Sequence, residues 1–510
     1  MSHRRFMPLR RGLAVVAGLV LAGTATFGVS AGTSTPQRYL VVFAGSYALD
    51  GSYALGGNYA LNHQYALDLV RSAGGSVTTD LSRQIGVMVV ESANSQFYAL
   101  MDSYALVEEI GADWSWQGLP TTAAAAPVPD PLESLQWDMA MIRADQAQAV
   151  QSGRADVQVG VLDSGVSGYH EDFIGLDGKS NVACELGHDS LAVLPPGVAV
   201  GSPDPCIDNQ FHGTHVAGTI AARANSMGVI GVAPDVTLVP VKVCDASGYC
   251  YASAVVDGIT YAGDQKLEVI NMSFFVDDNA FQESTEFKCT SDPTQRAFRR
   301  AVERALQYAR SQGVVAVAAL GNSDQDLSSP ETQSDDPTGV VGDTGGVFDP
   351  GGESIPNECD VVPAESSGVI GTASLGANSQ KASYSNYGVG AVDVTAPGGS
   401  GVTGDCRTTI LSTLPGGTWG CIQGTSMASP HAAGVAALIV SQFGTAGAGG
   451  DWVMSVTKVE SLLQASAIDI GLPGYDECFG NGRIDALRAV RGDTSAASDP
   501  AAPHCPEYAE

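Results

Sequence analysis

Basic residues are scarce in this chain. Its 510 residues include 25 Lys and Arg against 55 Asp and Glu, for a formal net charge of −30. Residues 1–126 hold 7 of the basic and 8 of the acidic residues, so 18 basic and 47 acidic residues remain in 127–510. A strongly acidic surface repels nucleic acid and anionic membranes. We therefore expect no nucleic-acid partner and no stable membrane association of the mature protein.

Two common metal-binding motifs are also missing. All ten cysteines lie between Cys184 and Cys505 without the paired C-x-x-C spacing of a zinc site, and no H-E-x-x-H segment occurs. An even number of cysteines in an exported chain indicates disulfides. We expect sequential neighbours to pair: Cys184–Cys206, Cys244–Cys250, Cys289–Cys359, Cys406–Cys421 and Cys478–Cys505.

The one apolar run that could reach a membrane lies at the N-terminus. Four arginines precede an apolar run at 13–27, and the small residues of 29–31 form a cleavage site. The paired Arg10 and Arg11 also suit a twin-arginine signal. A single membrane anchor is the alternative, but the Gly and Thr content and the cleavage site favour export. We predict a signal peptide at 1–31 and a secreted, extracellular protein.

Composition divides the rest of the chain into four segments. Strand and helix patterns predict a small α+β unit at 37–117, followed by an exposed Ala/Pro-rich linker at 118–131. A larger domain at 132–490 precedes a polar tail at 491–510. A Tyr-Ala-Leu triplet recurs every six residues from Tyr47 to Tyr65, which matches no helical period, and we expect these four copies to lengthen a loop.

The larger domain alternates short apolar runs with helical segments. Almost continuous Val, Ile and Leu strands between helices indicate a parallel sheet covered on both faces, an α/β fold. The predicted strands are 157–162, 237–243, 269–272, 314–319, 369–373 and 392–396, and the predicted helices are 144–152, 214–225, 253–263 and 295–312.

Four polar residues stand at the ends of these elements. VGVLDSG ends a strand at Asp163, VVAVAALGN ends another at Asn322, and HGTHVAG begins a helix at His212. GTSMASPHAAGVAAL presents Ser426 at the start of a helix of small residues. Active residues gather at the carboxyl ends of parallel strands. An aspartate, a histidine, a serine and an amide form the set that acyl transfer requires.

The roles follow from the chemistry of each group. His212 would take the proton of Ser426 and return it to the leaving amine, while Asp163 orients the imidazole and stabilises its charged form. Asn322 Nδ2 and the N–H of Ser426 would hold the oxyanion, because the first N–H groups of a helix have no helical partner.

Each motif also has a structural explanation. An aspartate after a strand can hydrogen-bond a turn, and a serine before a helix can cap it. His212 and His215, three residues apart, could ligate a metal on one helix face. No glutamate lies between them, so we favour one catalytic imidazole, with His215 buried and structural.

Together the segments resemble the active-site motifs of the subtilisin-like serine proteases, in that family's Asp, His, Ser order. VLDSGVSGYHEDF, HGTHVAGTIAA, LGN and GTSMASPHAAGVAAL match closely, and GYDECFGNGRIDA resembles the family's closing segment. The resemblance spans about 137–490. It implies a three-layer fold around a parallel sheet and a secreted, monomeric endopeptidase acting on polypeptides.

The resemblance extends to the N-terminal unit. Residues 37–117 resemble the family's propeptide, which acts as a folding chaperone and inhibitor and is removed autocatalytically. Maturation cleavage is then expected within 118–131.

Family substrates bind as an added strand between two extended segments. The matching positions are Ser247 and Gly248 on one side and Ser273, Phe274 and Phe275 on the other. Phe275 stands where the family usually has glycine, so the rim of the cleft should differ there.

A calcium site is implied by the same resemblance. The side chains of Asp172 and Asn225 and the carbonyls of Arg223, Met227 and Val229 would supply the oxygen ligands of a structural Ca²⁺. The alternative is a calcium-free loop in which Asn225 hydrogen-bonds its own turn.

Two other functions compete with the protease. Esterases and lipases carry G-x-S-x-G, and the one match that we find, at 28–32, lies inside the export signal. A non-catalytic binding protein should have lost one of the four catalytic residues, and all four are present.

Overall fold

The computed structural model describes residues 36–47, 53–55, 59–119, 132–194, 201–274, 287–289, 293–328, 359–447 and 452–499. The chain divides into two compact units, Met1–Thr35 and Pro36–Glu510, and every described residue belongs to the second. The predicted signal peptide and most of the predicted linker lie outside the described residues. None of the described helices combines the length and apolar character that a membrane crossing requires.

The first part of the described chain, 36–119, is called the N-terminal unit below. Its strands and helices are β1 Gln37–Phe43, β2 Gly45–Tyr47, β3 Tyr53–Leu55, α1 Tyr59–Ser72, β4 Gly75–Leu81, β5 Val87–Ser92, α2 Phe97–Asp102, β6 Val107–Ala112 and β7 Ser115–Gln117. Four of the strands form an antiparallel sheet in the order β4-β5-β1-β6.

The second part, from 132 onward, contains the expected catalytic residues and is therefore called the catalytic unit below. Its helices are α3 Trp137–Met141, α4 Ala144–Gln148, α5 His212–Ala221, α6 Ala252–Gln265, α7 Pro293–Ser311, α8 Thr425–Phe443, α9 Val456–Ala465 and α10 Ala486–Arg491. Its strands are β8 Gln158–Asp163, β9 His188–Asp189, β10 Thr237–Lys242, β11 Tyr249–Tyr251, β12 Val269–Met272, β13 Phe287–Cys289, β14 Val315–Ala319, β15 Cys359–Val361, β16 Val369–Leu375, β17 Val394–Pro397, β18 Ile410–Leu414, β19 Thr418–Ile422, β20 Thr445–Ala446 and β21 Trp452–Val453.

A seven-stranded parallel sheet lies at the centre of the catalytic unit. Its strand order is β17-β16-β14-β12-β8-β10-β9, and every neighbouring pair runs parallel. Successive side chains of a strand point to opposite faces. In β14, Val315 and Val317 pack with residues of α5 and α8, whereas Ala316 and Ala318 pack with residues of α6 and α7. The expected three-layer α/β fold is confirmed.

The predicted strands of this sheet agree with the observed ones to within two residues at each end. Two of the helix predictions were too long. The helix expected at 144–152 ends at Gln148, and the one expected at 214–225 ends at Ala221.

The loop prediction for the Tyr-Ala-Leu copies was wrong. Tyr53–Leu55 is a strand that pairs with β2, and the copies at Tyr59 and Tyr65 both lie in α1. The phenol hydroxyl of Tyr53 donates to the Phe43 carbonyl, and the side chain is 2% exposed. Tyr65, in contrast, is 54% exposed, so the copies do not share one environment.

Three of the expected disulfides are present: Cys184–Cys206, Cys244–Cys250 and Cys406–Cys421. In the β13–β15 pair, Cys289 lies opposite Cys359, as their predicted bond requires. The expected partner of Cys478, Cys505, lies outside the described residues.

The N-terminal unit docks on α6 and α7 with one face of its sheet. In β1, Tyr39, Val41 and Phe43 pack within the unit's own core, whereas Leu40 and Val42 belong to a cluster that includes residues of α6 and α7. The four-stranded sheet is therefore buried on both faces, one of them by the catalytic unit.

Candidate active site

Strands β8, β12 and β14 are neighbours in the sheet, and a polar residue stands at the carboxyl end of each. Asp163 is the last residue of β8, Ser273 follows β12, and Asn322 lies shortly after β14. Helix α8 packs across all three strands and begins with Thr425 and Ser426. The sheet topology thus brings together residues that are up to 263 positions apart in the chain.

Asp163 and His212 form a buried pair. Nδ1 of His212 lies 3.0 Å from both carboxylate oxygens, and both side chains are 0% exposed. Nδ1 is the nitrogen placed to donate to this carboxylate, and in the neutral imidazole the other nitrogen, Nε2, is then the acceptor. Nε2 of His212 is buried and has no hydrogen-bond partner in the part of the chain that the structure describes. The pair therefore holds an imidazole ready to accept a proton at Nε2.

The hydroxyl of Ser426 does not donate to His212 in this conformation. Its Oγ donates to the carbonyl of Ser273 at 3.1 Å. Helices α5 and α8, which carry His212 and Ser426, pack against each other. Catalytic hydrogen bonds are often formed only in the substrate complex. A proton transfer to Nε2 requires the Ser426 hydroxyl to leave the Ser273 carbonyl.

Two N–H donors face one space beside Gly424. The Oδ1 of Asn322 accepts from the N–H and the hydroxyl of Thr425, both at 2.9 Å, which directs Nδ2 away from Thr425. A methyl group built on Gly424 would lie 3.6 Å from the Ser426 nitrogen and 3.7 Å from Nδ2 of Asn322. The φ of Gly424 is +152°, which side chains rarely adopt. The glycine leaves room for an anionic oxygen between the two donors.

His215 has the buried position that the structural interpretation requires. Its Nε2 lies 3.0 Å from the carbonyl of Ile410 and 3.2 Å from that of Gly420, so it donates a proton to them. The side chain is 0% exposed, and burial lowers its pKa to about 3. A protonated Nε2 directed at carbonyls is not a metal ligand, which disfavours the two-histidine metal site.

Asp208 was not singled out from the sequence, although it organises the start of α5. One carboxylate oxygen accepts from Ser164 Oγ and Gln210 N, and the other accepts from Thr214 N and Oγ1. Burial raises the pKa of the Asp208 carboxyl. Asp208 lies four residues before α5 and outside the N-cap position, which Phe211 occupies, so no capping pattern in the sequence identifies it. Through its bond with Ser164, Asp208 links the end of β8, which carries Asp163, to the start of α5, which carries His212.

The expected substrate rim is described in part. Ser247 and Gly248 lie in the turn before β11, and Ser273 follows β12. Phe274 is fully buried in the core rather than exposed along a cleft. Phe275 lies outside the described residues.

The N-terminal unit reaches this rim. Strand β7 pairs antiparallel with β11, so that Trp116 lies opposite Cys250. The N–H groups of Gly118 and Leu119 both donate to the carbonyl of Gly248, at 3.0 and 3.2 Å. The end of the N-terminal unit therefore occupies an edge at which the sequence predicts substrate binding.

The expected calcium residues lie together. Asp172, Asn225 and the 223–229 loop are in contact, and the donor set of carboxylate, amide and carbonyl oxygens fits a hard cation. Asp172 Oδ2, however, accepts from Val229 N at 2.9 Å and Trp419 Nε1 at 2.6 Å. The Oδ1 of Asn225 accepts from Met227 N at 2.9 Å, the bond expected of a calcium-free turn. A bound ion would have to share these oxygens with protein N–H groups.

Acidic and thiol ligands do not supplement this set. Across the described segments, no three His, Cys, Asp or Glu side chains are grouped as a metal site would need. The 223–229 loop therefore suits either a cation held mainly by neutral oxygens or the calcium-free conformation.

Comparisons with known proteins agree with this arrangement. The model of the subtilase family matches residues 154–482. Subtilisin DY of Bacillus licheniformis is 31% identical over 359 residues, which cover 70% of this chain and 100% of that protein. Subtilisin E of Bacillus subtilis is 32% identical over 360 residues, with coverages of 70% and 72%.

Two solved structures have the same fold. The epidermin leader peptide processing serine protease of Staphylococcus aureus has a TM-score of 0.64 at 20% identity and covers 90% of this chain and 98% of its own. A lanthipeptide protease has a TM-score of 0.54 at 24% identity, with coverages of 71% and 96%.

Proposed function

The chain belongs to the subtilase family and is a serine-type endopeptidase, and we propose that it cleaves polypeptides through Asp163, His212 and Ser426. The observation that carries this assignment is the buried contact of His212 Nδ1 with the Asp163 carboxylate. His212 lies on α5, which packs against α8, the helix whose first turn contains Ser426. The accepting Nε2 of His212 is the base that a serine nucleophile needs.

The reaction proceeds by acyl transfer. Ser426 Oγ attacks the scissile carbonyl while His212 Nε2 takes its proton, and Asp163 stabilises the resulting imidazolium. The oxyanion lies between Ser426 N and Asn322 Nδ2. The imidazolium then protonates the leaving amine. Water, deprotonated by His212, hydrolyses the acyl-enzyme and restores the Ser426 hydroxyl.

Labelling with a fluorophosphonate probe tests the assignment. The wild-type enzyme should be labelled at Ser426, and Ser426→Ala should abolish both labelling and peptide cleavage. Ser441→Ala is a matched control, because Ser441 is a buried serine near the other end of α8. Full activity of Ser426→Ala would disprove the assignment. Casein cleavage without a preference for esters would exclude the esterase, and absence of Ser426-dependent labelling would favour the non-catalytic binding protein.

We also propose that residues 37–117 are an inhibitory propeptide removed by the enzyme itself. The support is the bond pattern at the rim, where β7 pairs with β11 and Gly118 and Leu119 donate to Gly248. An extended segment bound to that edge would compete with substrate for the same backbone groups. If maturation is autocatalytic, Ser426→Ala should leave the precursor uncut between 118 and 131. N-terminal sequencing of the wild-type product would locate the cut.

Export is the remaining part of the proposal. The segment 1–31 is the signal, and the three disulfides are of the kind formed in oxidising compartments. The mature, monomeric enzyme would then act outside the cell, with Ca²⁺ held by the oxygens of Asp172, Arg223, Asn225, Met227 and Val229 where the metal is bound. Recovery of processed enzyme from the culture medium tests the location.

A further inference from the structure

Pro430 interrupts the hydrogen bonding of α8 one turn after Ser426. In an α-helix each N–H donates to the carbonyl four residues earlier, and proline has no N–H. The carbonyl of Ser426 therefore lacks its donor within the helix. A carbonyl left unpaired inside a protein is costly, so a donor from outside the helix is expected.

Ser273, which follows the neighbouring strand β12, supplies that donor. Its Oγ donates to the Ser426 carbonyl at 2.8 Å. The Oγ of Ser426 donates in turn to the Ser273 carbonyl at 3.1 Å. The two residues are joined by a reciprocal pair of hydrogen bonds between the end of a strand and the first turn of a helix.

Two further side chains determine the direction of the Ser273 hydroxyl. Asn271 Nδ2 donates to Ser273 Oγ at 2.8 Å, so Ser273 keeps its own hydrogen for an acceptor. The Ser426 carbonyl at 2.8 Å is a closer acceptor than Ser429 Oγ at 3.4 Å. The Asn271 amide is itself oriented by Ser429 Oγ, which donates to Oδ1. Asn271, Ser273 and Ser429 are each 0% exposed. Full burial makes these side chains depend on one another for their hydrogen bonds.

We propose that Ser273 is a positioning residue for the nucleophile, and that Asn271 and Ser429 hold its hydroxyl in the orientation that anchors the Ser426 carbonyl. The anchor replaces the bond that Pro430 cannot make and sets the place of the first turn of α8. Both the Ser426 hydroxyl and its N–H, one of the two oxyanion donors, belong to that turn. This inference rests on the proposed role of Ser426.

The anchor is tested by Ser273→Ala in the processed enzyme, with a chromogenic peptide substrate. The substitution leaves the Ser273 carbonyl in place, so KM should change less than twofold. The value of kcat should fall about 3- to 10-fold, the effect of losing one hydrogen bond of ordinary strength. Ser441→Ala, which removes a buried hydroxyl from the same helix, should leave kcat unchanged.

The decisive comparison uses Pro430→Ala, which restores an N–H to the helix. In that background the Ser426 carbonyl has a second donor, so Ser273→Ala should lower kcat by a clearly smaller factor than it does in the wild type. An equal loss in both backgrounds, or an unchanged kcat in Ser273→Ala, would overturn the inference. A cycle of this kind isolates the coupling between two residues.

Three outcomes keep the test informative. If Ser273→Ala does not fold, Ser429→Ala releases the Asn271 amide and should lower kcat without changing KM; a normal kcat would then contradict the inference. If Ser426→Ala is fully active, the proposed function itself fails. If Ser426→Ala is inactive but Ser273→Ala turns over normally, only the positioning role is lost.

Discussion

The two sheets of this protein are buried in different ways. The seven-stranded sheet of the catalytic unit is covered on one face by α5 and α8 and on the other by α6 and α7, all parts of its own unit. The four-stranded sheet of the N-terminal unit covers one face with α1 and α2 and relies on α6 and α7 for the other. Helices of its own unit cover both faces of the seven-stranded sheet. The four-stranded sheet has both faces covered only while the two units are together.

Polar contacts also join the N-terminal unit to α6 and α7 of the catalytic unit. Arg304 of α7 donates to the Phe43 carbonyl at 2.9 Å and to Glu108 at 2.5 Å, and its guanidinium lies over the Tyr53 ring. Asp113 caps the start of α6 by accepting from Ser253 N and Oγ. The N-terminal unit thus supplies acceptors to an arginine and a helix end of the catalytic unit, which would lose those partners if the two units separated.

The comparison predicts that chemistry depends on the catalytic unit alone. Asn322→Ala should lower kcat by about 10²–10³-fold, the size measured for the loss of one oxyanion donor in a subtilisin, because one of the two N–H donors at Gly424 is removed. The affinity for the separately produced N-terminal segment should not change. Steady-state kinetics with and without that segment measure both quantities, and normal turnover would contradict the role of Asn322.

Binding of the N-terminal segment should depend on its contacts with α7 and not on the active-site residues. Arg304→Ala should weaken inhibition by the separately produced N-terminal segment by about 2 kcal/mol, a roughly 30-fold rise in the inhibition constant, because Glu108 and the Phe43 carbonyl lose a charged donor. The kcat of the processed enzyme should stay the same.

Arg299→Ala is the matched control for that experiment. Arg299 lies on the same helix but pairs with Glu303 and Asp360, within the catalytic unit. Its replacement should leave the inhibition constant unchanged. Equal effects of the two substitutions would mean that general damage to α7, rather than the Arg304 contacts, weakens docking.

Acid should destabilise the catalytic unit through His215. Its pKa is lowered to about 3 in the folded chain, against about 6.5 when unfolded, so the unfolded chain binds more protons between these values. The contribution of His215 is fully present above pH 6.5 and is lost as the pH falls towards 3. His215→Gln should make the melting temperature less dependent on pH in this range. Melting curves of uncut Ser426→Ala protein would check this, and an unchanged dependence would contradict it.

The smallest effect is expected from calcium. If the 223–229 loop binds Ca²⁺, a chelator should lower the melting temperature of the processed enzyme by a few degrees, because the ligand stabilises only the folded state. Asp172→Asn should abolish the difference between calcium-loaded and chelated samples. An unchanged melting temperature would instead support a loop closed by the N–H groups of Met227, Val229 and Trp419.

Much of the fold could be predicted because the strands of the central sheet are mostly apolar and almost entirely buried. The 269–272 and 315–319 runs contain only buried residues, and such runs fit few places other than a two-sided core. Strand β4 carries no such signal, because it alternates half-buried and exposed residues at a sheet edge. The candidate site residues were recognised as motifs, whereas Asp208 and the Ser273 hydroxyl act through bonds that no local pattern reveals.

Sequence alone determined the central sheet and the order of the motifs, since continuous Val, Ile and Ala runs are stable only when both of their faces are covered. Tertiary structure alone decided the conformation of the repeated triplet, which is a strand at Tyr53–Leu55 but helical at Tyr65 and Tyr98. It also decided that Ser273 donates to Ser426, a partner 153 positions away. Identical residues take different structures because the neighbours that bury them and satisfy their hydrogen bonds come from distant parts of the chain.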